Sequence, residues 1–176
     1  MVKTTGLVRR IDELGRIVIP KDIRKALRLK DGESVEIFLE NDNILLKKYS
    51  PLENLNVFYE NYVSSLHSSL GKNVFIIDRD KIVASSGDLK KKYLNVNISS
   101  KMDEIVQNRD ILIKNEKDKI FLGDNLVEEG YYVVAPIIVN GDAIGAVIIL
   151  SLDKVLEEID IKTITIAATF LGKYIE

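Results

Sequence analysis

Residues 5–20 read Thr5-Gly6-Leu7-Val8-Arg9-Arg10-Ile11-Asp12-Glu13-Leu14-Gly15-Arg16-Ile17-Val18-Ile19-Pro20. Two apolar runs, 6–11 and 16–19, flank Asp12-Glu13-Leu14-Gly15, where Gly15 offers the permissive backbone of a tight turn, so the stretch predicts a hairpin. Pro20 cannot continue the ladder but suits a first helical turn. Ile23, Ala26 and Leu27 follow at helical spacing and predict a short helix over residues 21–29. Lys21, Arg24, Lys25 and Arg28 stand at i, i+3, i+4 and i+7, which places four cations on one side of that helix. After a turn at Lys30-Asp31-Gly32-Glu33, Val35, Ile37 and Leu39 alternate as a third strand. Asn41-Asp42-Asn43 turns, and Ile44, Leu46 and Lys48 alternate as a fourth.

Fifty residues of four strands and one helix bury little core, because the fraction of surface removed from water falls steeply below about 60 residues. Pairing two copies is the natural remedy, and two-fold symmetry would double the basic surface in a form that suits duplex DNA. The charge distribution agrees. Over the whole 176 residues the net charge is −2. Residues 1–50 nevertheless carry eleven Lys or Arg against eight acids, and residues 1–30 nine against three. The remainder carries fourteen against nineteen. Such halves describe a polyanion-binding head on an acidic body. Arginine stands at positions 9, 10, 16, 24 and 28, and guanidinium gives bidentate recognition of phosphate or guanine that ammonium does not. Arg9 and Arg10 are adjacent, so a regular strand would point them to opposite faces.

Ser50-Pro51 marks the expected junction between a domain over 1–50 and one over 51–176. From Leu52 onward, Leu55, Tyr59, Tyr62, Val63, Leu66 and Leu70 follow helical spacing, with Gly71 as the stop. Val74-Phe75-Ile76-Ile77 and Lys81-Ile82-Val83-Ala84 flank Asp78-Arg79-Asp80 as a hairpin. The region 85–100 is polar. Met102, Ile105 and Val106 predict a short helix, while 111–113 and 119–122 predict two separate strands. Asn140-Gly141 joins the apolar runs 131–139 and 143–150 in a strong hairpin signal. Leu156, Ile159, Thr163, Ala167, Phe170, Leu171 and Tyr174 predict an amphipathic closing helix. Periodicity alone defines this part as α+β.

The motif over residues 5–20, with Ile23-Arg24-Lys25 and Ile44-Leu45-Leu46-Lys47-Lys48-Tyr49, resembles the AbrB family of transition-state regulators. That resemblance implies a dimeric swapped-hairpin β-barrel that binds double-stranded DNA. Position by position it implies Arg9, Arg16, Arg24 and Lys25 as DNA contacts, with Arg10 beside them; Lys25 stands where relatives often carry arginine. The remainder resembles a GAF domain, an α/β sheet with helices on one face and a loop-lined pocket. Together they give an α+β fold class, a swapped-hairpin barrel joined to a GAF-like domain with an N-terminal linker helix. The head's resemblance continues through Asp78-Arg79-Asp80, Ser86-Gly87, Lys91-Lys92-Tyr93-Leu94-Asn95, Ala135-Pro136-Ile137 and residues 140–147. Over that length the chain is similar to a family of sporulation regulators of the same two-part plan. The similarity implies control of late forespore transcription, activating some promoters and repressing others. It also implies assembly as a homotetramer through the GAF-like domains, with an unidentified small molecule as the candidate ligand.

Several classes are disfavoured. The sequence has no Cys and one His, which removes disulfides, thiolate catalysis and zinc–thiolate sites. His67 lies in Ser64-Ser65-Leu66-His67-Ser68-Ser69 with no nearby acid, and Ser85-Ser86-Gly87 lacks a nucleophile-elbow pattern; no enzyme is expected. Asp78 and Asp80 lack the rest of a calcium loop, and Gly141 and Gly145 lack the remainder of a dinucleotide motif, so no metal or cofactor is expected. No apolar run approaches the roughly 20 residues of a membrane span, and no signal peptide is evident; a cytoplasmic protein is expected. The competing reading is an antitoxin-like protein whose head binds DNA while its extension neutralises a partner protein.

Overall fold

The computed structural model describes residues 6–32, 34–49 and 55–176, in two compact units, Met1–Tyr49 and Ser50–Glu176. The expected junction at Ser50-Pro51, the first residue of the quoted motif, Thr5, and the helix start at Leu52 lie outside the described residues.

In the first unit, α1 (Lys21–Ala26) follows Pro20, and β1 (Val35–Glu40) pairs antiparallel with β2 (Asn43–Lys48). Asn41 makes the hairpin turn in a left-handed conformation, φ 52°, which asparagine tolerates better than most residues. No described residue of this unit is buried: Val8, Leu14, Val18, Ile37, Leu39 and Ile44 are all exposed, Val8 to 85%. Two expectations change here. Among the described residues, 6–11 and 16–19 form no strands, although the intervening turn forms. The helix also ends at Ala26 rather than at residue 29, because Arg28 takes φ 52°. Lys21, Arg24 and Lys25 therefore share the helix, and Arg28 leaves it.

The second unit is built on one antiparallel sheet in the order β4-β3-β7-β6-β5. α2 (Asn56–Leu70) leads into β3 (Asn73–Asp78), β4 (Ile82–Ser86), α3 (Lys90–Tyr93), α4 (Ser100–Gln107), β5 (Leu112–Gly123), β6 (Leu126–Val139), β7 (Asp142–Ser151) and α5 (Glu158–Ile175). Successive side chains of a strand point to opposite faces, and here both faces are covered. Val74, Ile76, Val133, Ala135, Val147 and Ile149 meet Tyr59 and Val63 of α2 and Ile164, Ala167 and Leu171 of α5. Phe75, Ile77, Val134, Ala146, Ile148 and Leu150 meet Tyr93 of α3 and Met102 and Val106 of α4. Helices on one face only, as the GAF resemblance implies, is thus corrected to helices on both. Burial on both sides is why these strands read as nearly unbroken apolar runs rather than as strict alternation.

Two further sequence readings change. The strands expected at 111–113 and 119–122 are one strand, β5, whose register shifts between Lys114 and Asp118. The polar region 85–100 contains α3, too short to show a period. Residues 95–99 hydrogen-bond to both edges of the sheet. Asn95 N–H donates to Ile82 O at 2.9 Å on the β4 side, and Ser99 N–H to Leu122 O at 3.1 Å on β5. The sheet is therefore curled, and the same Ser99 caps α4 by accepting from Met102 N–H at 3.0 Å.

The start of α5 is fixed by a reciprocal cap. Glu157 and Asp160 each accept from the other's end of the first turn, with Asp160 Oδ2 taking Glu157 N–H at 2.7 Å. Asp160 Oδ1 also holds Lys72 Nζ at 3.0 Å, with 2% of the Asp160 side chain exposed. A buried carboxylate is tolerable only when paired and hydrogen-bonded in this way. At the other end of α5, Gly172 lies so close to β6 that an added Cβ would stand 2.5 Å from Ile138 O. Gly172→Ala must push helix from sheet, so it is expected to lower the body's stability by about 1–3 kcal/mol, read as a lower urea midpoint by circular dichroism.

Candidate nucleic-acid interface

Asp12 organises the first turn of the head. Its backbone N–H donates to Arg16 O at 3.1 Å and its carbonyl accepts from Gly15 N–H at 2.9 Å. Oδ1 accepts from Leu14 N–H at 3.0 Å and Arg16 N–H at 2.8 Å. Oδ2 accepts from Arg16 Nε at 2.7 Å. Gly15 closes the turn at φ 74°, where a side chain is strained. The Arg16 backbone N–H, then its guanidinium, hold the Asp12 carboxyl below the usual carboxylate value of 3.8.

The other expected contacts follow from the helix. Pro20 presets the backbone for α1, with Arg24 N–H donating to Pro20 O at 2.9 Å. Asp22 in the first turn and Arg24 and Lys25 in the last complement the helix dipole. Arg24 reaches Asp31 at 3.5 Å, and Lys48 Nζ donates to Arg28 O at 3.4 Å, tying β2 to the chain leaving α1. Arg9 donates to Val8 O at 2.9 Å. Arg9, Arg10, Arg16, Arg24 and Lys25 are all exposed within one compact unit. With no regular strand at 6–11, Arg9 and Arg10 are not constrained to opposite faces. Asp12 is the residue that sequence reading did not single out; its signal was an acid four positions before an arginine across a Gly turn.

The body uses its polar residues structurally. His67 donates from Nδ1 to Lys72 O at 2.8 Å across the end of α2, where Gly71 adopts φ 64°. Asp78 accepts from Asp80 N–H and Lys81 N–H, each at 2.7 Å, so its carboxylate is spent on the turn. Burial raises its pKa against the pull of those two amides. Among the described residues no three His, Asp or Glu side chains gather as for a metal, and no helix is long and apolar enough to cross a membrane. Tyr93, fully buried, donates to Glu128 at 2.7 Å, and Lys92 reaches the same oxygen at 2.5 Å, fastening α3 to β6. Burial and the Glu128 charge push the Tyr93 hydroxyl pKa upward. A cavity of about 270 Å³ opens between Ile105 and Asn108 at the end of α4 and Asp110, Ile111 and Leu112 at the start of β5.

The outer side of α2 and α5 carries a continuous set of rings. Phe58 stacks on Tyr62 and on Tyr174, with centroids 5.7 and 4.9 Å apart. Phe170 lies 5.9 Å from both Tyr62 and Tyr174. Phe170 and Tyr174 remain about half exposed, and Ile166 more so. Phe58 and Tyr62 also pack against the core beneath, whereas Phe170 and Tyr174 face water.

A sheet between two helical layers, with a small basic unit ahead of it in the chain, defines a two-part regulator: an AbrB-like head on a GAF-fold body. The chain belongs to the stage V sporulation protein T family of sporulation transcription regulators. Residues 54–176 match the family model described as stage V sporulation protein T C-terminal, transcription factor. The whole chain is 43% identical over 177 residues to stage V sporulation protein T of Bacillus subtilis, covering 99% of each. The head is 46% identical over 50 residues to the transition state regulatory protein AbrB of Bacillus subtilis, covering 28% of this chain and 52% of that one. Residues 8–54 also match the family model of the bacterial antitoxin MazE. The fold resembles the GAF domain of an Acinetobacter phosphoenolpyruvate-protein phosphotransferase, with TM-score 0.58 and 12% identity over 73% of this chain and 84% of that one. It also resembles the cofactor-binding GAF domain of the nutrient sensor CodY from Clostridium difficile, with TM-score 0.51 and 16% identity over 89% and 94%.

The Asp12 turn carries a pH dependence of definite sign. Because the folded carboxyl titrates below 3.8, its stabilisation is complete above that value and is lost as pH falls through the lower folded one. Carbonyl-detected NMR should place the Asp12 midpoint below 3.8; a midpoint at or above it would mean that the Arg16 contact does not persist in solution.

Proposed function

We propose that this chain binds double-stranded DNA sequence-selectively to regulate late forespore genes, activating some promoters and repressing others, through Arg9, Arg10, Arg16, Arg24 and Lys25. The observation that supports it best is the head itself: five exposed cations on a unit that leaves all its described apolar side chains at least partly in water. Two copies exchanging the residue 6–20 hairpin would close a barrel and bury those side chains, and the doubled basic surface would match the symmetry of a duplex. Phosphate contacts would dock the head and arginine contacts to base edges, with DNA deformability, would choose the sequence. The domains are taken as 1–50 for DNA and 51–176 for oligomerisation and ligand sensing, and the protein works in the cytoplasm, as a binder and not an enzyme.

The body supplies the second interface in this reading. The exposed rings of α2 and α5 suit a like face on a second copy, since aromatic clusters anchor interfaces, and two head dimers joined there make a homotetramer. Native mass spectrometry of the whole chain would report stoichiometry and any retained small molecule together. Phe170→Ser should reduce a tetramer to a dimer while circular dichroism stays unchanged; tetramers persisting in that variant would exclude the α2–α5 face. The isolated head should sediment as a dimer, and a folded monomer would sink the exchanged barrel.

The antitoxin-type match of residues 8–54 keeps the competing reading specific, but it concerns the head. The body's buried core speaks for a folded sensor domain rather than a disordered neutralising tail. Limited proteolysis discriminates: a stable fragment beginning near Leu52 fits the regulator, and rapid loss of everything after Ser50 fits the antitoxin.

The DNA surface is tested by salt. Log affinity should fall with log salt at about −0.9 per neutralised phosphate. Lys25→Ala should flatten that slope with little change in sequence preference. If Arg16→Ala, Arg24→Ala and Lys25→Ala together leave affinity and slope unchanged in a folded protein, this is not the DNA site.

A further inference from the structure

An acid within a DNA-binding surface ordinarily repels phosphate, and Asp12 is an acid between Arg9, Arg10 and Arg16. Its geometry gives it another use. The two carboxylate oxygens are divided: Oδ1 takes the two backbone amides of the turn at 2.8 and 3.0 Å, while Oδ2 takes Arg16 Nε at 2.7 Å. Nε sits at the inner edge of the guanidinium. Engaging it restrains the plane of the group and leaves the end-on N–H pair of the two terminal nitrogens, which by guanidinium geometry points away from Nε, with no partner among the described residues. Those two nitrogens form the fork that binds guanine O6 and N7, or two phosphate oxygens, bidentately. The Arg16 side chain is 72% exposed and the Asp12 side chain 42%, so the pair lies on the surface with the fork outward.

We propose that Asp12 is a positioning residue for sequence readout: it holds Arg16 as a pre-oriented fork, and its charge gives up some general DNA affinity for base discrimination. This rests on the reading that Arg16 contacts DNA. An unheld arginine retains rotamer freedom and contacts phosphates of any sequence equally well. A held one presents a fixed plane to one base edge, and ordering it beforehand removes a cost otherwise met on binding.

The division of oxygens yields a discriminating substitution. Asp12→Asn keeps a carbonyl oxygen for the two turn amides, as asparagine does in turns of this kind, but replaces the oxygen facing Arg16 Nε with an amino group. The probe is a duplex enriched by the wild-type full-length chain from a randomised library, measured against a scrambled duplex of equal length. Asp12→Asn should lower the preference for the enriched duplex by about tenfold, within the range of one bidentate base contact, and leave scrambled binding equal or tighter. Arg16→Ala should lose a similar preference, and the double variant should lose no more than Arg16→Ala alone. Asp12→Glu, which restores the charge with a longer reach, should recover part of the preference.

Each alternative has its own signature. If Asp12 only builds the turn, Asp12→Asn will match wild type. If it only opposes phosphate, Asp12→Asn will tighten both duplexes equally with the preference intact. Either result overturns the proposal. If Arg16→Ala itself leaves preference and affinity unchanged, it is the assignment of Arg16 to DNA that fails, and the positioning role fails with it.

Discussion

The head cannot bury its own apolar side chains, and the rest of the arrangement follows from that. None of Leu7, Val8, Ile11, Ile17, Val18, Ile37, Leu39, Ile44 or Leu46 finds a dry environment within one copy. A unit left so open gains little from apolar burial within one copy. The body has the opposite character. Its sheet is filled from both sides by its own helices, so its core is complete within one copy.

Charge is partitioned along the same line. The basic excess is confined to the residues that would face a duplex, and the acidic excess to those that would not. Within the head three of the eight acids have local structural roles. Asp12 is spent on the first turn, Asp22 on the helix start and Asp31 on Arg24. Each offsets positive charge where it also fixes backbone or side-chain geometry, which keeps the surface basic without leaving its arginines in arbitrary directions.

Much of this was legible in the sequence. The turn at Asp12-Glu13-Leu14-Gly15, the hairpin at Asn140-Gly141 and the Gly71 stop were local signals with local causes, and the structure contains each of them. Features missed were set by tertiary context. Residues 6–11 and 16–19 have strand composition but form no strand, since apolar composition alone does not make a ladder. α3 is a single turn pinned by the buried Tyr93 ring and its bond to Glu128; four residues carry no period. β5 read as two strands because the polar Asn115-Glu116-Lys117 stretch is a bulge within one. Helices on both faces of the sheet were obscured by the same unbroken apolar runs that their burial explains. At the candidate site, the cations were legible as residue types and spacing. The role of Asp12 was not, because an aspartate beside arginines reads equally as turn former, counter-charge or clamp until the oxygens are assigned.

The irregularity in β5 also bears on how the body escapes unwanted strand pairing. An open sheet edge invites runaway strand addition, the route by which sheets grow into fibres. The body contributes little to that hazard. Along the outer rim of β5, one half is met by Ser99, which donates to Leu122 O and Phe121 O. The other half is kinked at residues 114–118 and carries Lys114 and Asp118 clasped at 2.8 Å, which leaves a stranger's backbone no straight, uncharged template to copy.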